Sequence, residues 1–222
     1  LINNKEMILH VYEAAKKTDI GDVYVATPDQ KIIDVITSHG GKAVLTSLDH
    51  QTGTDRVYEV FKNELKNEPS LIVNLQGDMP NINPKDITNL VLYMKKGKCD
   101  IGTLASKFST ETELIDENNV KVALKEKIKF GNFGKATDFY RTFSKTYENI
   151  YHHVGIYAFT NKALVRYVSL ERSKLELERK LEQLRALEND MSIHVGYIKS
   201  SPLSVDTAND LIEVKKIMEN NE

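Results

Sequence analysis

Short β-branched runs alternate with amphipathic stretches through the first part of this 222-residue chain, and that alternation constrains its fold most. Lys5 to Lys17 places Met7, Ile8, Val11 and Ala14 or Ala15 on one face, at helical spacing. Asp22 to Thr27 reads as a strand, Pro28-Asp29 opens a helix through Ile32, Ile33 and Ile36, and Gly40-Gly41 closes it. Lys42 to Ser47 is the next strand, and the polar loop LDHQTGTDR leads into a helix from about Thr54 to Lys66. A strand begins at Leu71, and Asn83-Pro84 then starts a helix with proline in the permitted first turn. Strand and helix in turn, with short connections, predict right-handed crossovers and a mostly parallel sheet.

The pattern changes after that helix. Asp100 to Ala105, Val120 to Leu124 and His153 to Phe159 read as strands with no long helix between them, which predicts a mixed region over about 100–200. Ala163 to Tyr167 is a short helix, and Leu175 to Glu188 is a patterned one with Leu177, Leu181, Leu184 and Leu187 on its apolar face. The strand MSIHVGYI and a helix from Asn209 to about Met218 complete the chain. The expected fold is a single α/β domain over 1–222, a three-layer sandwich with a mostly parallel, Rossmann-like sheet and that mixed region beside it.

Composition excludes several classes. A hydrophobic fraction of 41% suffices for a core, and a net charge of −2 gives no electrostatic footprint for nucleic acid or an acidic membrane. No apolar stretch approaches the ~20 residues that cross a bilayer, and no signal peptide is visible. The single cysteine, Cys99, rules out an intrachain disulfide, fits a reducing cytoplasm and reads as a core residue at a strand start. There is no GxGxxG after a strand, P-loop, GxSxG elbow or CxxC pair, and His152-His153 lacks a nearby third ligand for zinc.

The stretch Leu71 to Pro80, LIVNLQGDMP, carries the first chemical signal. Its strand ends in Gly77 and Pro80, and ligands of open α/β sheets bind outside the carboxyl ends of strands. Gln76 and Asp78 therefore stand where a ligand is expected, with Gly77 permitting close backbone approach. Asp78 either holds a magnesium ion against phosphate oxygens or caps the next element. Asp206, in VDT, is either a second such carboxylate or the N-cap of the last helix. In the loop before the third helix, Thr52 and Gly53 offer backbone groups to a flat ring, Thr54 is a candidate cap, and Arg56 supplies a planar fork. The other reading is a plain capped helix with a surface arginine. His153 and Tyr157, four apart in HVGIY, share a strand face by alternation, either toward a sugar-like ligand or packed under a helix. Glu182 and Gln183 either flank the core or lie on a solvated helix face.

Taken together, HQTGTDR, VNLQGDMP, HHVGIYAF, LEQLRALE and SVDTANDL resemble the 3-deoxy-D-manno-octulosonate (KDO) cytidylyltransferases, in the family's order and over nearly the whole chain. The resemblance implies transfer of CMP from CTP to KDO, giving CMP-KDO and pyrophosphate for lipopolysaccharide assembly. It also implies magnesium, a cytoplasmic location and a homodimer formed through the second half. By position, Thr52, Gly53 and Arg56 match the cytosine-reading loop, and Gln76 matches the residue between nucleotide and sugar acid. Asp78 and Asp206 match the magnesium-binding pair. Arg141, His153, Tyr157, Glu182 and Gln183 match the KDO-binding set.

Three departures accompany the match. The family's first strand and its loop PARxxSxRLPGKPL have no counterpart here, so a missing N-terminal segment carrying the triphosphate cradle is expected. Met79 stands where QGDEP has glutamate, and FYR replaces the commoner FSR around Arg141. The alternatives are a cytidylyltransferase for another sugar acid, against which HHVGIY with LEQLR argues, and a non-catalytic binding domain lacking the triphosphate loop.

Overall fold

The computed structural model describes residues 1–65, 69–143 and 148–219. In chain order the elements are α1 (Met7–Lys16), β1 (Tyr24–Thr27), α2 (Gln30–Ser38), β2 (Lys42–Leu45), α3 (Gly53–Glu64), β3 (Leu71–Asn74), α4 (Pro84–Met94) and β4 (Ile101–Ser106). They continue with α5 (Glu111–Ile115), β5 (Lys121–Leu124), β6 (Phe133–Tyr140), β7 (Ile150–Thr160), α6 (Asn161–Ser169), α7 (Lys174–Arg179), α8 (Gln183–Glu188), β8 (Ile193–Tyr197) and α9 (Ala208–Glu219). Lys66, where the sequence pattern ends the third helix, lies outside the described residues. The chain divides into two compact units, Leu1–Asn67 with Gln76–Asn89 and Pro202–Glu222, and Glu68–Leu75 with Leu90–Ser201.

In the first unit β1 and β2 pair in parallel, Tyr24 opposite Lys42 through Thr27 opposite Leu45. The crossover α2 is capped by Asp29, whose carboxylate accepts the Lys31 N–H at 2.8 Å. Gly40, at φ 71°, turns the chain out of that helix, a conformation that costs glycine little. Gly77 is tight for another reason: a Cβ there would lie 3.0 Å from Ile8 Cδ1, on α1.

The second unit is built on a six-stranded sheet in the order β3-β7-β4-β8-β6-β5, with β5 also paired to β7. Those ladders close a ring through β7, β4, β8, β6 and β5. One edge of β7 pairs with β4; the other is shared by β3 along Tyr157–Thr160 and β5 along Ile150–His152. Residues 153–156 lie between those two partners. The mixed α/β class agrees with expectation, but the parallel share is smaller. Among the described residues only β1–β2 and β4–β8 are parallel, against five antiparallel ladders. A parallel neighbour needs a long crossover, whereas β5 returns to β6 through a short loop and lies antiparallel.

Two elements escape the sequence pattern. The strand β6 (FGKATDFY) is polar along its exposed side, and α5 is a five-residue helix. The long helix expected over Leu175 to Glu188 is broken. Lys180 adopts a left-handed conformation (φ 54°, ψ 46°) that ends α7, and α8 begins three residues later. Leu181 and Leu184 are buried, but Leu177 is 52% exposed. Glu176 turns inward instead, where Arg185 holds it by two bonds of 2.6 and 2.8 Å. A buried ion pair thus takes the place of an unbroken leucine face. The break also puts Glu182 and Gln183 at the start of a new helix. Cys99 is buried just ahead of β4, and burial pushes its thiol up to about 12.

Candidate functional site

The chain leaves β3 through Leu75 and Gln76 and turns at Gly77, which brings Asp78 to the surface of the first unit. Asp78 Oδ2 accepts a 2.7 Å hydrogen bond from Ser204, 126 residues away, and its backbone carbonyl accepts the Val205 N–H at 2.9 Å. The same Ser204 Oγ lies 3.2 Å from Asp206 Oδ2. One hydroxyl carries one proton, so it cannot donate fully to both carboxylates. The two negative groups share one oxygen neighbour, and Asp78 Oδ1 is buried with no hydrogen-bond partner among the described residues. Asp206 is not the helix cap. Thr207 takes that place: its hydroxyl accepts the Asp210 N–H at 3.2 Å, and the Asp210 carboxylate in turn accepts the Thr207 N–H at 2.7 Å and the Asp206 N–H at 3.1 Å. Those bonds, the Thr207 contact first, hold the Asp210 carboxyl below its ordinary value. Asp206 is therefore spared for another use.

This pair fits a hard divalent cation. Magnesium favours one or two carboxylates, with substrate phosphates and water completing the coordination. No group of three or more His, Cys, Asp or Glu side chains suited to a metal occurs among the described residues, so a closed protein cage is not offered. Gln76 is half-buried. Met79 is buried, so the position aligned with the family's glutamate serves packing.

The loop before α3 differs from expectation in its cap. Thr52, not Thr54, is the N-cap: its Oγ1 accepts the Asp55 N–H at 3.2 Å and donates to Asp55 Oδ2 at 2.8 Å. Thr54 is buried inside the helix. Arg56 Nη1 donates to Thr46 Oγ1 at 2.6 Å and to the Ser47 carbonyl at 2.8 Å, which pins the end of β2 against the helix. Glu59 adds a second pin, accepting the Ser47 N–H at 3.0 Å and pairing with His50. The His50 contact, followed by the Ser47 bond, lowers the Glu59 carboxyl. Thr52, the cap, and Gly53, the first residue of α3, thus stand at the end of a loop whose start is held to the helix by Arg56 and Glu59.

In the second unit His153 and Tyr157 do share a face, though not by simple alternation. An unbroken strand would separate residues four apart by about 13 Å. Their ring centroids are 5.5 Å apart. The reason is an irregularity in β7: Thr103 pairs with Tyr157 but Leu104 pairs with Val154, so one step along β4 spans three along β7. Both side chains are buried. Burial, reinforced by neighbouring His152, lowers His153 to about 3, so the ring is neutral near pH 7. Burial, with the Glu182 charge next, raises Tyr157 well above the usual phenol range, so it keeps its proton. Glu182 accepts from the Tyr167 hydroxyl through its backbone carbonyl at 3.0 Å and its carboxylate at 3.4 Å. Gln183, the first residue of α8, is only 5% exposed.

Arg141 directly follows β6. Its Nη1 donates to the carbonyls of Glu117 and Asn118 at 3.2 and 3.3 Å, so the described contacts tie it to that turn and not to His153 or Tyr157. Beneath it, Lys121 is fully buried and donates to the carbonyls of Asp116, Asn119 and Arg141 at 2.5, 2.8 and 2.6 Å. Desolvation lowers its ammonium, and three acceptors use all its protons. Sequence reading missed Ser204, Thr103 and Lys121, because neither spacing nor residue type marks a side chain whose role depends on a distant segment.

A cytidylyltransferase family model matches residues 1–193. The 3-deoxy-manno-octulosonate cytidylyltransferase of Bartonella henselae is 39% identical over 219 residues, which span 98% of this chain and 89% of the relative. That of Rhodopseudomonas palustris is 40% identical over 217 residues, spanning 96% and 86%. A solved structure of CMP:2-keto-3-deoxy-manno-octonic acid synthetase complexed with CTP matches with a TM-score of 0.89 and 31% identity, covering 100% of this chain and 91% of that one. A 4-diphosphocytidyl-2C-methyl-D-erythritol synthase from Anaerococcus prevotii, at TM-score 0.66 and 14% identity, shares the fold alone. On identity sustained over nearly the full length of both chains, this chain belongs to the 3-deoxy-manno-octulosonate cytidylyltransferase family.

Proposed function

We propose that this chain transfers a cytidylyl group from CTP to KDO, releasing pyrophosphate and supplying CMP-KDO for lipopolysaccharide assembly. The observation that carries the reading is the convergence of Asp78 and Asp206 on one serine hydroxyl, with Asp78 Oδ1 buried and unpartnered. A single hydroxyl proton cannot satisfy both carboxylates, which leaves oxygen lone pairs available to a cation. Asp78 and Asp206 would hold magnesium, whose charge offsets that developing on the α-phosphate. The parallel β1–β2 pair with its crossover helix supports reading the first unit as the Rossmann-like, nucleotide-binding half.

In this reading the anomeric hydroxyl oxygen of KDO attacks the α-phosphorus, the bond to the bridging oxygen of the β-phosphate breaks, and the hydroxyl proton passes to solvent. No side chain becomes covalently linked, so the chain's own residues work by binding and orientation. Thr52 and Gly53 read the cytosine edge through backbone groups, on a loop that Arg56 and Glu59 hold rigid. Gln76 contacts both substrates with its amide. Arg141 opposes the sugar carboxylate with its charge. His153, Tyr157, Glu182 and Gln183 take the sugar hydroxyls, with the neutral imidazole and protonated phenol offering hydrogen bonds without excess charge. A cytoplasmic homodimer whose sugar-acid and dimer surfaces fall within about 100–200 completes the proposal, on the family resemblance.

Calorimetric titration of the full-length protein with magnesium tests the substrate assignment. CTP and KDO should each bind, and ATP and sialic acid should bind far more weakly. Equal binding of ATP and CTP, or of sialic acid and KDO, would overturn it.

A further inference from the structure

The irregular stretch of β7 contains a hydrogen-bond arrangement with a chemical consequence. Thr103 on β4 is fully buried, and its Oγ1 has three neighbours: the Ile156 carbonyl at 2.7 Å, the Val154 carbonyl at 3.2 Å and His153 Nε2 at 2.9 Å. A hydroxyl has one proton, and a carbonyl oxygen can only accept. The short contact to Ile156 therefore takes the hydroxyl proton. Nothing is left to donate to His153, so Nε2 must itself donate to Thr103 Oγ1. A neutral imidazole carries a single N–H, and which nitrogen bears it is set by the bond the other ring position makes. With Nε2 protonated, Nδ1 keeps its lone pair and can only accept. The ring is packed among aromatic neighbours: Phe139 lies in a T-shaped contact at 5.1 Å and Tyr157 in a tilted one at 5.5 Å between centroids.

We infer that Thr103 is a positioning residue that fixes His153 in the Nε2–H form, so that His153 presents Nδ1 to the sugar acid as an acceptor. The inference rests on the sugar-acid reading for its substrate, and on the hydrogen bonds alone for the tautomer. Its consequence is selectivity. A hydroxyl that can donate is accepted at this point, whereas a carbonyl, carboxylate or ether oxygen meets a lone pair and is rejected. The β7 irregularity acquires a purpose as well. The same displacement that brings Tyr157 beside His153 supplies the carbonyl that consumes the Thr103 proton.

The test uses the full-length protein with 15N-labelled histidine. In the resting enzyme, His153 should show a pyrrole-like resonance at Nε2 and a pyridine-like one at Nδ1; the reverse would overturn the inference, whatever the substrate. Thr103→Val keeps the shape and removes the hydroxyl. It should erase the tautomer preference and raise the KM for KDO about 10-fold, the worth of one hydrogen bond, with the KM for CTP unchanged. Thr103→Ser should restore both. If Thr103→Val kept the Nε2–H form, or raised both KM values equally, Thr103 would be a structural residue only. If Thr103→Val fails to fold, the wild-type resonances and the serine variant still decide. Correct resonances without KDO turnover would refute the substrate reading and leave the tautomer assignment standing.

Discussion

Replacing Glu176 by glutamine should destabilise the protein far more than so small a change suggests. The Glu176 side chain is 0% exposed and that of Arg185 is 4% exposed, and they meet through two bonds of 2.6 and 2.8 Å. Glutamine serves as well as glutamate at the third position of a capping box, so the cap at Ser173 survives in Glu176→Gln. What is lost is the negative charge that meets the buried Arg185 guanidinium through both of those bonds. Breaking one side of such a pair costs about 3–5 kcal/mol, against a total stability of about 5–15 kcal/mol. The Tyr167 ring, 4.6 Å from the guanidinium, returns no more than about 2 kcal/mol. Removing both charges in Glu176→Gln with Arg185→Met should recover most of that loss, because the cap at Ser173 is kept and the desolvation cost goes with the attraction. Urea unfolding followed by linear extrapolation measures both, and the m-value should not move. A single-variant loss below about 1 kcal/mol, or a double variant as weak as the single, would refute the reasoning. The pH dependence gives a second check. Burial pushes the Glu176 carboxyl up, but the Arg185 hydrogen bonds and charge, with Arg172 and the Ser173 N–H, outweigh it and hold the carboxyl below its ordinary 4.5. The unfolded chain therefore takes up this proton first as pH falls. The stabilisation is whole above pH 4.5 and disappears as pH drops through the lower folded value. Glu176→Gln should lack that part of the acid slope.

Three further outcomes follow from the site and core. If Asp78 is the proposed cation ligand, Asp78→Asn should lower turnover by about 100-fold or more while leaving the urea midpoint nearly unchanged, since it removes a carboxylate charge and little packing; near-wild-type pyrophosphate release would exclude Asp78 as a ligand. Gln183→Ala should raise the KM for KDO by about 10-fold and the KM for CTP much less, and equal effects in initial-rate measurements would remove Gln183 from the sugar site. Cys99, with its thiol pushed up to about 12 by burial, should resist iodoacetamide in the folded protein and react on unfolding. Rapid native labelling detected by intact mass would show that β4 opens readily.

The alternation of strands and helices up to α4 was legible because each element there buries one face with its own periodicity. Asp78 and Asp206 stood out as carboxylates at element ends, but spacing could not tell ligand from cap. The choice depends on Thr207 and Asp210, which cap α9 and relieve Asp206 of that duty. The leucines of 175–188 promised one helix because their pattern is local, whereas the force that breaks it is an ion pair between Glu176 and Arg185 across the bend. His153 and Tyr157 were rightly placed on one face, yet their close approach depends on a register shift against β4 that alternation along HVGIY does not show and that only Gly155 hints at. Ser204 and Thr103 were invisible for the same reason: each matters through partners on another segment.

The central claim is a cytidylyl transfer that needs both substrates and a divalent cation. Initial-rate pyrophosphate release by the full-length protein, with magnesium, CTP and KDO, tests it most directly. Release should require all three, stop on chelation, and fail when ATP or UTP replaces CTP or sialic acid replaces KDO. Release without KDO, or undiminished release after the metal is removed, would contradict the account.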